Sequence, residues 1–326
     1  MLHYFRLVGL LARAARLNVE PDDGRIARRP LVSKSALDGD VWEPRAGATE
    51  TLVAAHGASL KGKDEPRLQA FARSMAASGI RCVVPTLPGL SQMQFLASDA
   101  DALAALAQET AESYARPVLI GFSFGGSCAL LGAARSKSSV RYVLSFGAAH
   151  DYARLFDELC EKWRAVPADP RLRSERLYVL LMLTFRNAAQ LGLREDLAPI
   201  ASALGRFCQG LPQEEAQALE RRLEPLAPVD AEHRYGDRAA LRAASPAGQL
   251  AGLCCPTGLV HDPNDLLVPV DHAHALHREL EGLGARGSHR LLVTSLFEHV
   301  DLKRFRFSDL SKLLRILEPL VSSAAG

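Results

Sequence analysis

The sequence predicts an α/β protein: a mostly parallel central sheet with helices on both faces, interrupted by one all-helical insert. Three observations carry this. Short β-rich runs alternate with helical stretches from residue 31 to about 150, and the alternation resumes after residue 250. Between them, residues 151–250 show helical periodicity and no strand pattern. A β-rich run also passes through Gly121-Phe122-Ser123-Phe124-Gly125 directly into a helical stretch. The expected organisation is an N-terminal helix or extension over 1–30, an α/β core from 31–150 and 251–326, and a helical cap over 151–250.

Composition narrows the function classes. With 326 residues, 48% of them hydrophobic and 23% charged, the chain can bury a full core without disulfide or metal staples. Lys and Arg number 39 against 37 Asp and Glu, a net charge of +2 that gives no bulk attraction to nucleic acid. Neither G-x-x-x-x-G-K-[ST] nor G-x-G-x-x-G occurs, so a nucleotide cofactor has no support, and no cofactor or metal is expected. The longest apolar runs, such as Leu177 to Phe185, are about half a membrane span. The six cysteines (82, 128, 160, 208, 254 and 255) include no C-x-x-C pair, which reads as buried reduced thiols in a cytoplasmic protein. Residues 1–17 have too short an apolar stretch for a signal peptide. As a helix they place His3, Arg6, Arg13 and Arg16 opposite Phe5, Val8 and Leu11. Two readings stay open, weak contact with a membrane surface or docking on the body of the protein.

The elements follow in order. Leu31–Leu37 and Val41–Glu43 flank Asp38-Gly39-Asp40 and read as a hairpin. Thr51–His56 is a buried strand, with a helix near Glu65–Ala77 closed by Ser78-Gly79. Ile80–Val84 is the next strand, stopped by Pro85. An alanine-rich helix over Asp99–Tyr114, a strand over Pro117–Gly121, a helix over Phe124–Arg135 and a strand over Val140–Phe146 complete the first half. The insert reads as helices near Tyr152–Arg164, Arg171–Leu191, Pro199–Gln209 and Pro212–Leu223. Its Leu177, Tyr178, Leu180, Leu181, Leu183 and Phe185 are dense enough to form the insert's own core, with part left to line an apolar pocket. Thr257–His261, a helix over Asp271–Leu283, a strand over Arg290–Val293 and a helix over Ser308–Leu320 finish the chain.

The sharpest motif is Gly121-Phe122-Ser123-Phe124-Gly125, a G-x-S-x-G between strand and helix. Flanking glycines permit a tight turn that projects the serine hydroxyl, and the helix behind it offers N–H groups to a developing oxyanion. Phe124 N–H is one expected donor. Ala58 N–H, in the His56-Gly57-Ala58 loop after the earlier strand, is the other, while His56 itself reads as structural. A serine needs a base, and the base an orienting carboxylate. Asp265 lies past the Pro263-Asn264 turn after strand Thr257–His261, and His299 follows the next strand in Phe297-Glu298-His299-Val300. Ser123, Asp265 and His299 thus fall beyond strand ends on one edge of the sheet, where open α/β sheets place their ligands. His272, His274 and His277 resemble a ligand cluster, but the spacing fits one amphipathic helix better than a metal site.

With these residues the chain resembles an α/β-hydrolase carrying a helical cap, over roughly residues 31–320. The resemblance implies the α/β-hydrolase fold and a carboxylic ester or related acyl bond of a small molecule as substrate. It also implies Ser123 as nucleophile, His299 as base and Asp265 as orienting acid. Acyl transfer, thioester, amide or carbon–carbon cleavage on the same residues stay open, as does a non-catalytic ligand-binding protein. Two departures stand out. Asp262 occupies a position where relatives commonly carry glycine, which makes it a rival to Asp265. Pro88-Gly89-Leu90 replaces a loop that often continues toward serine or arginine.

Overall fold

The computed structural model describes residues 24–155, 158, 214, 238–265, 267–284, 289–295, 297–298, 301–302 and 307–320. Among them, eight strands form one sheet: β1 (Ile26–Pro30), β2 (Gly39–Pro44), β3 (Glu50–Ala55), β4 (Ile80–Pro85), β5 (Val118–Phe122), β6 (Tyr142–Phe146), β7 (Thr257–His261) and β8 (His289–Val293). Their spatial order is β1-β2-β4-β3-β5-β6-β7-β8. Every neighbouring pair from β4 to β8 is parallel, whereas β2 is antiparallel to both β1 and β4. A separate ladder pairs β9 (Phe297–Glu298) with β10 (Asp301–Leu302).

Among the described residues the α-helices are α1 (Pro66–Ala77), α2 (Ala97–Ser113), α3 (Phe124–Arg135), α4 (Arg238–Ala244), α5 (Val270–Gly282) and α6 (Phe307–Leu317). Strand side chains alternate between two apolar layers, as the two-residue period requires. Val53 and Ala55 of β3 face a core shared with Leu103 of α2, Leu130 of α3, Leu241 of α4 and Leu276 of α5. Leu52 and Ala54 face the opposite core, with Leu68 and Met75 of α1 and Leu313 and Leu317 of α6. Local chemistry marks the helix ends. Glu65 caps α1 by accepting the Leu68 N–H at 2.9 Å, with Pro66 in the first turn. Beyond its last turn Gly79 takes φ 88°, a conformation other residues resist.

Most expected elements stand within two or three residues of their sequence positions, and Phe124–Arg135 and Thr257–His261 coincide with α3 and β7. The first hairpin is corrected. Its leading strand is Ile26–Pro30, inside the segment expected to precede the core, while 31–38 forms the connection. Ala36 turns at φ 53° and Val32 is 90% exposed, so the Leu31–Leu37 run buries too little to stay in a sheet. Ion pairs fix the true partner: Arg28 lies 2.6 Å from Asp40 and Arg29 lies 3.0 Å from Glu43. Of the expected cap and the 1–30 segment, most of 151–250 and all of 1–23 lie outside the described residues. Among the described residues no helix is long and apolar enough to cross a membrane.

Candidate active site

Ser123 sits between β5 and α3 with φ 54° and ψ −127°, a backbone conformation that L residues rarely adopt and that costs ~1–3 kcal/mol. Its N–H donates to the Phe146 carbonyl at 2.7 Å, and its carbonyl accepts the Gly126 N–H at 2.8 Å. These bonds hold the turn from both sides. The glycines of the motif are required by close backbone approach. A Cβ at Gly121 would lie 2.1 Å from the Gly125 carbonyl oxygen, and one at Gly125 would lie 2.2 Å from the His56 carbonyl oxygen. Phe124 opens α3, so its N–H belongs to the first turn, which has no intrahelical acceptor and carries the positive end of the helix dipole.

The loop after β3 is packed against this turn. A Cβ at Gly57 would lie 3.2 Å from Ser123 Cβ and 3.1 Å from the Phe122 carbonyl oxygen. The structure therefore brings the segment carrying Ala58 to the serine. His56 is buried, and its partners define its tautomer: Nδ1–H donates to the Gly57 carbonyl at 2.7 Å, and Nε2 accepts the Leu87 N–H at 2.9 Å. Burial pushes its pKa down, outweighing the Gly57 hydrogen bond and the charge of Glu65. The ring is neutral and already engaged on both nitrogens.

Packing of the Phe124 ring adds a second tie. Its ring lies 4.7 Å from that of Phe95 and 5.6 Å from that of Tyr152, and Phe95 stacks on Tyr152 at 4.3 Å. Tyr152 stands a few residues beyond the end of β6. Its N–H donates to Ser245 Oγ at 3.0 Å, and the Ala247 N–H donates to the His150 carbonyl at 3.0 Å. The segments around 150–152 and 245–247 are thus stitched together just beyond β6, with Tyr152 packed against the start of α3.

On the loop after β7 both carboxylates are buried, and both accept main-chain N–H groups of their own loop. Asp262 Oδ1 accepts the Asn264 N–H at 2.9 Å, closing a local turn, and its carbonyl accepts the Asp265 N–H at 3.2 Å. Asp265 Oδ1 accepts the Leu267 and Val268 N–H groups at 2.8 and 3.0 Å, and its side chain is fully buried. Its Oδ2 lies 3.8 Å from Nε2 of His261, whose N–H donates to the Val268 carbonyl at 2.8 Å. Sheet register aligns the ends: Phe122 pairs with Phe146, Phe146 with Val260, and His261 with Val293. With strands ~4.8 Å apart, the serine-bearing and acid-bearing ends stand about 10 Å from each other. β8 ends level with them. His299 itself lies outside the described residues, with β9 and β10 on either side of it.

Other nucleophiles and ligand sets recede. Burial pushes the Cys128 thiol, in α3, far above its ordinary range, so it stays protonated. His272 of the sequence cluster is wholly buried, with Nδ1 accepting the His150 N–H at 3.0 Å and Nε2 3.0 Å from Glu158. His277 instead faces Glu281 at 3.4 Å, one turn along the same helix. Among the described residues no group of three His, Cys, Asp or Glu side chains is placed to hold a metal ion.

The profile of the alpha/beta hydrolase family matches residues 52–299, which contain every site residue above. The chain belongs to the alpha/beta hydrolase family. Its fold is shared with an esterase of Pyrococcus furiosus, Pf2001, at a TM-score of 0.54 and 10% identity, over 94% of this chain and 95% of that one. It is shared also with an acylaminoacyl peptidase of Pyrococcus horikoshii, at a TM-score of 0.54 and 14% identity, over 93% of this chain and 43% of that one. No curated protein sequence matches the chain. In this alpha/beta hydrolase, sequence reasoning found the serine turn and the neighbouring loop but missed Asp99, a carboxylate buried to 1% exposure behind them. The available signal was a lone acidic residue on the otherwise apolar side of an alanine-rich helix, beside Ala100 and Leu103.

Proposed function

We propose that this alpha/beta hydrolase cleaves a carboxylic ester or related acyl bond of a small molecule through Ser123, His299 and Asp265. The observation that carries this reading is the strained serine turn, which has its hydroxyl-bearing residue between a strand end and a helix N-terminus, with Gly57 packed against it. Strain of this kind persists only where surrounding structure over-determines it, and functional sites are where it collects. In the reaction, His299 takes the Ser123 proton as Oγ forms a bond to the acyl carbon. The carbonyl electrons move to oxygen, facing the Phe124 and Ala58 N–H groups. The C–O bond to the leaving group then breaks, with the proton passing from His299 to the departing oxygen. Water, deprotonated by the same histidine, hydrolyses the acyl-enzyme. Asp265 orients the imidazole and stabilises its cation. The insert 151–250, which leaves and re-enters beside Phe124, acts as a cap over this site.

The test is a screen of the wild-type protein and Ser123→Ala against ester, thioester and amide panels, with fluorophosphonate labelling of Ser123. Ester turnover and labelling that both vanish in the variant are expected; Ser123→Ala keeping more than a tenth of the activity refutes the assignment. Absence of labelling in the wild type favours a ligand-binding protein on the hydrolase fold.

A further inference from the structure

This inference rests on the proposed serine-hydrolase function and deepens it. We propose that Asp99 is the positioning residue of the oxyanion site, gripping the 87–90 turn so that this turn in turn holds the Ala58 N–H beside Ser123. Asp99 stands in the first turn of α2, with Oδ1 accepting the Gly89 N–H at 2.9 Å and Oδ2 accepting the Leu90 N–H at 2.8 Å. The other side of the turn reaches the loop after β3 at two points. The Leu90 carbonyl accepts the Ser59 N–H at 3.1 Å, and the Leu87 N–H donates to His56 Nε2, whose ring is bonded onward to the Gly57 carbonyl. Ala58 lies between Gly57 and Ser59. Both of its chain neighbours are therefore tethered to the turn that Asp99 grips. Farther along the same segment, Phe95 packs on the ring of Phe124, the second donor residue. One stretch, 87–99, thus braces both sides of the oxyanion site.

A carboxylate suits this task because each oxygen accepts one N–H at the same time, whereas an amide presents a donor to one of them. Burial raises the Asp99 pKa, against the pull of the two N–H bonds. Gly89 completes the arrangement: a Cβ there would lie 2.7 Å from Asp99 Oδ2 and 3.0 Å from Leu96 Cγ. Only a glycine lets the turn come this close to the carboxylate. Asp99 touches no substrate in this scheme and acts through the backbone alone.

The test uses the full chain and two variants that disturb the grip from opposite sides, Asp99→Asn and Gly89→Ala. The rate of Ser123 labelling by a fluorophosphonate is measured beside kcat and KM for p-nitrophenyl butyrate, with Tm recorded for each. Displacing one oxyanion donor is expected to lower kcat and the labelling rate together by about 10- to 100-fold, with KM within about twofold. A merely structural role lowers Tm and leaves both rates per labelled site unchanged, which overturns the proposal, as does a fall in kcat without a matching fall in labelling. Should Asp99→Asn not fold, Gly89→Ala, which retains the carboxylate, decides by the same criteria. A wild type that neither labels nor turns over refutes the proposed hydrolase function itself and the proposal with it. A wild type that does both, with both variants behaving like it, refutes the proposal alone.

Discussion

Replacing Gly125 by alanine pits helix propensity against backbone contact, and the structure says which prevails. Gly125 lies in the first turn of α3, where alanine would ordinarily favour the helix by about 1 kcal/mol. Its Cβ, however, would sit 2.2 Å from the His56 carbonyl oxygen and 2.6 Å from that of Ala55, well inside the 3.0 Å below which something must shift. Both obstacles are main chain, so α3 and the end of β3 must part by about 0.8 Å. Overpacking of this sort costs ~1–3 kcal/mol and sometimes more, enough to cancel the propensity gain and leave a net loss of up to about 2 kcal/mol. The kinetic effect should be larger. The gap opens between the Phe124 N–H and the loop bearing Ala58, and a misplacement near 1 Å in an active site costs on the order of 100-fold. Gly132→Ala is the internal control, since its Cβ would meet only Leu103 side-chain atoms at 3.4 Å in the same helix. Urea unfolding and kcat/KM for a p-nitrophenyl ester, normalised to sites labelled by fluorophosphonate, read both effects. If Gly125→Ala matches Gly132→Ala in stability and in rate, the backbone apposition drawn here is wrong.

Asp265→Asn should lower kcat by several orders of magnitude and Asp262→Asn by far less, because in the proposed mechanism Asp265 is the carboxylate that orients His299; the reverse ranking, measured by steady-state kinetics, moves the acid to Asp262. With His299 acting as base in its neutral form, kcat/KM should rise with one ionisation in the histidine range, and a flat profile from about pH 5 to 8 removes His299 from the mechanism. Burial lowers the His56 pKa below its unfolded value of about 6.5, so the unfolded chain binds more protons beneath that pH. Unfolding free energy should accordingly fall as pH drops below about 6.5, and His56→Gln should shallow that slope; an equal slope from pH 5 to 7 in the two proteins contradicts the assignment.

How much of this was legible beforehand depended on how local the cause was. The serine turn could be read because its chemistry is written in five consecutive residues, and α3 begins at Phe124, inside that motif. β7 was equally clear, as a short apolar run bounded by Pro256 and Pro263. β1 was not, because an edge strand written Ile-Ala-Arg-Arg-Pro carries its signal in ion pairs to Asp40 and Glu43, 12 and 14 residues away. The same holds within the site.

The sequence by itself determined the α/β class and the serine at a strand–helix turn, since periodicity and turn chemistry act over a few residues. Tertiary structure alone decided which glycines are compelled by contact, that Asp262 serves its own loop, and that His56 is a neutral brace. It also set Asp99 behind the 87–90 turn. A carboxylate on an alanine-rich helix has no meaning along the chain; it acquires one only when burial removes water and leaves the Gly89 and Leu90 N–H groups as its partners.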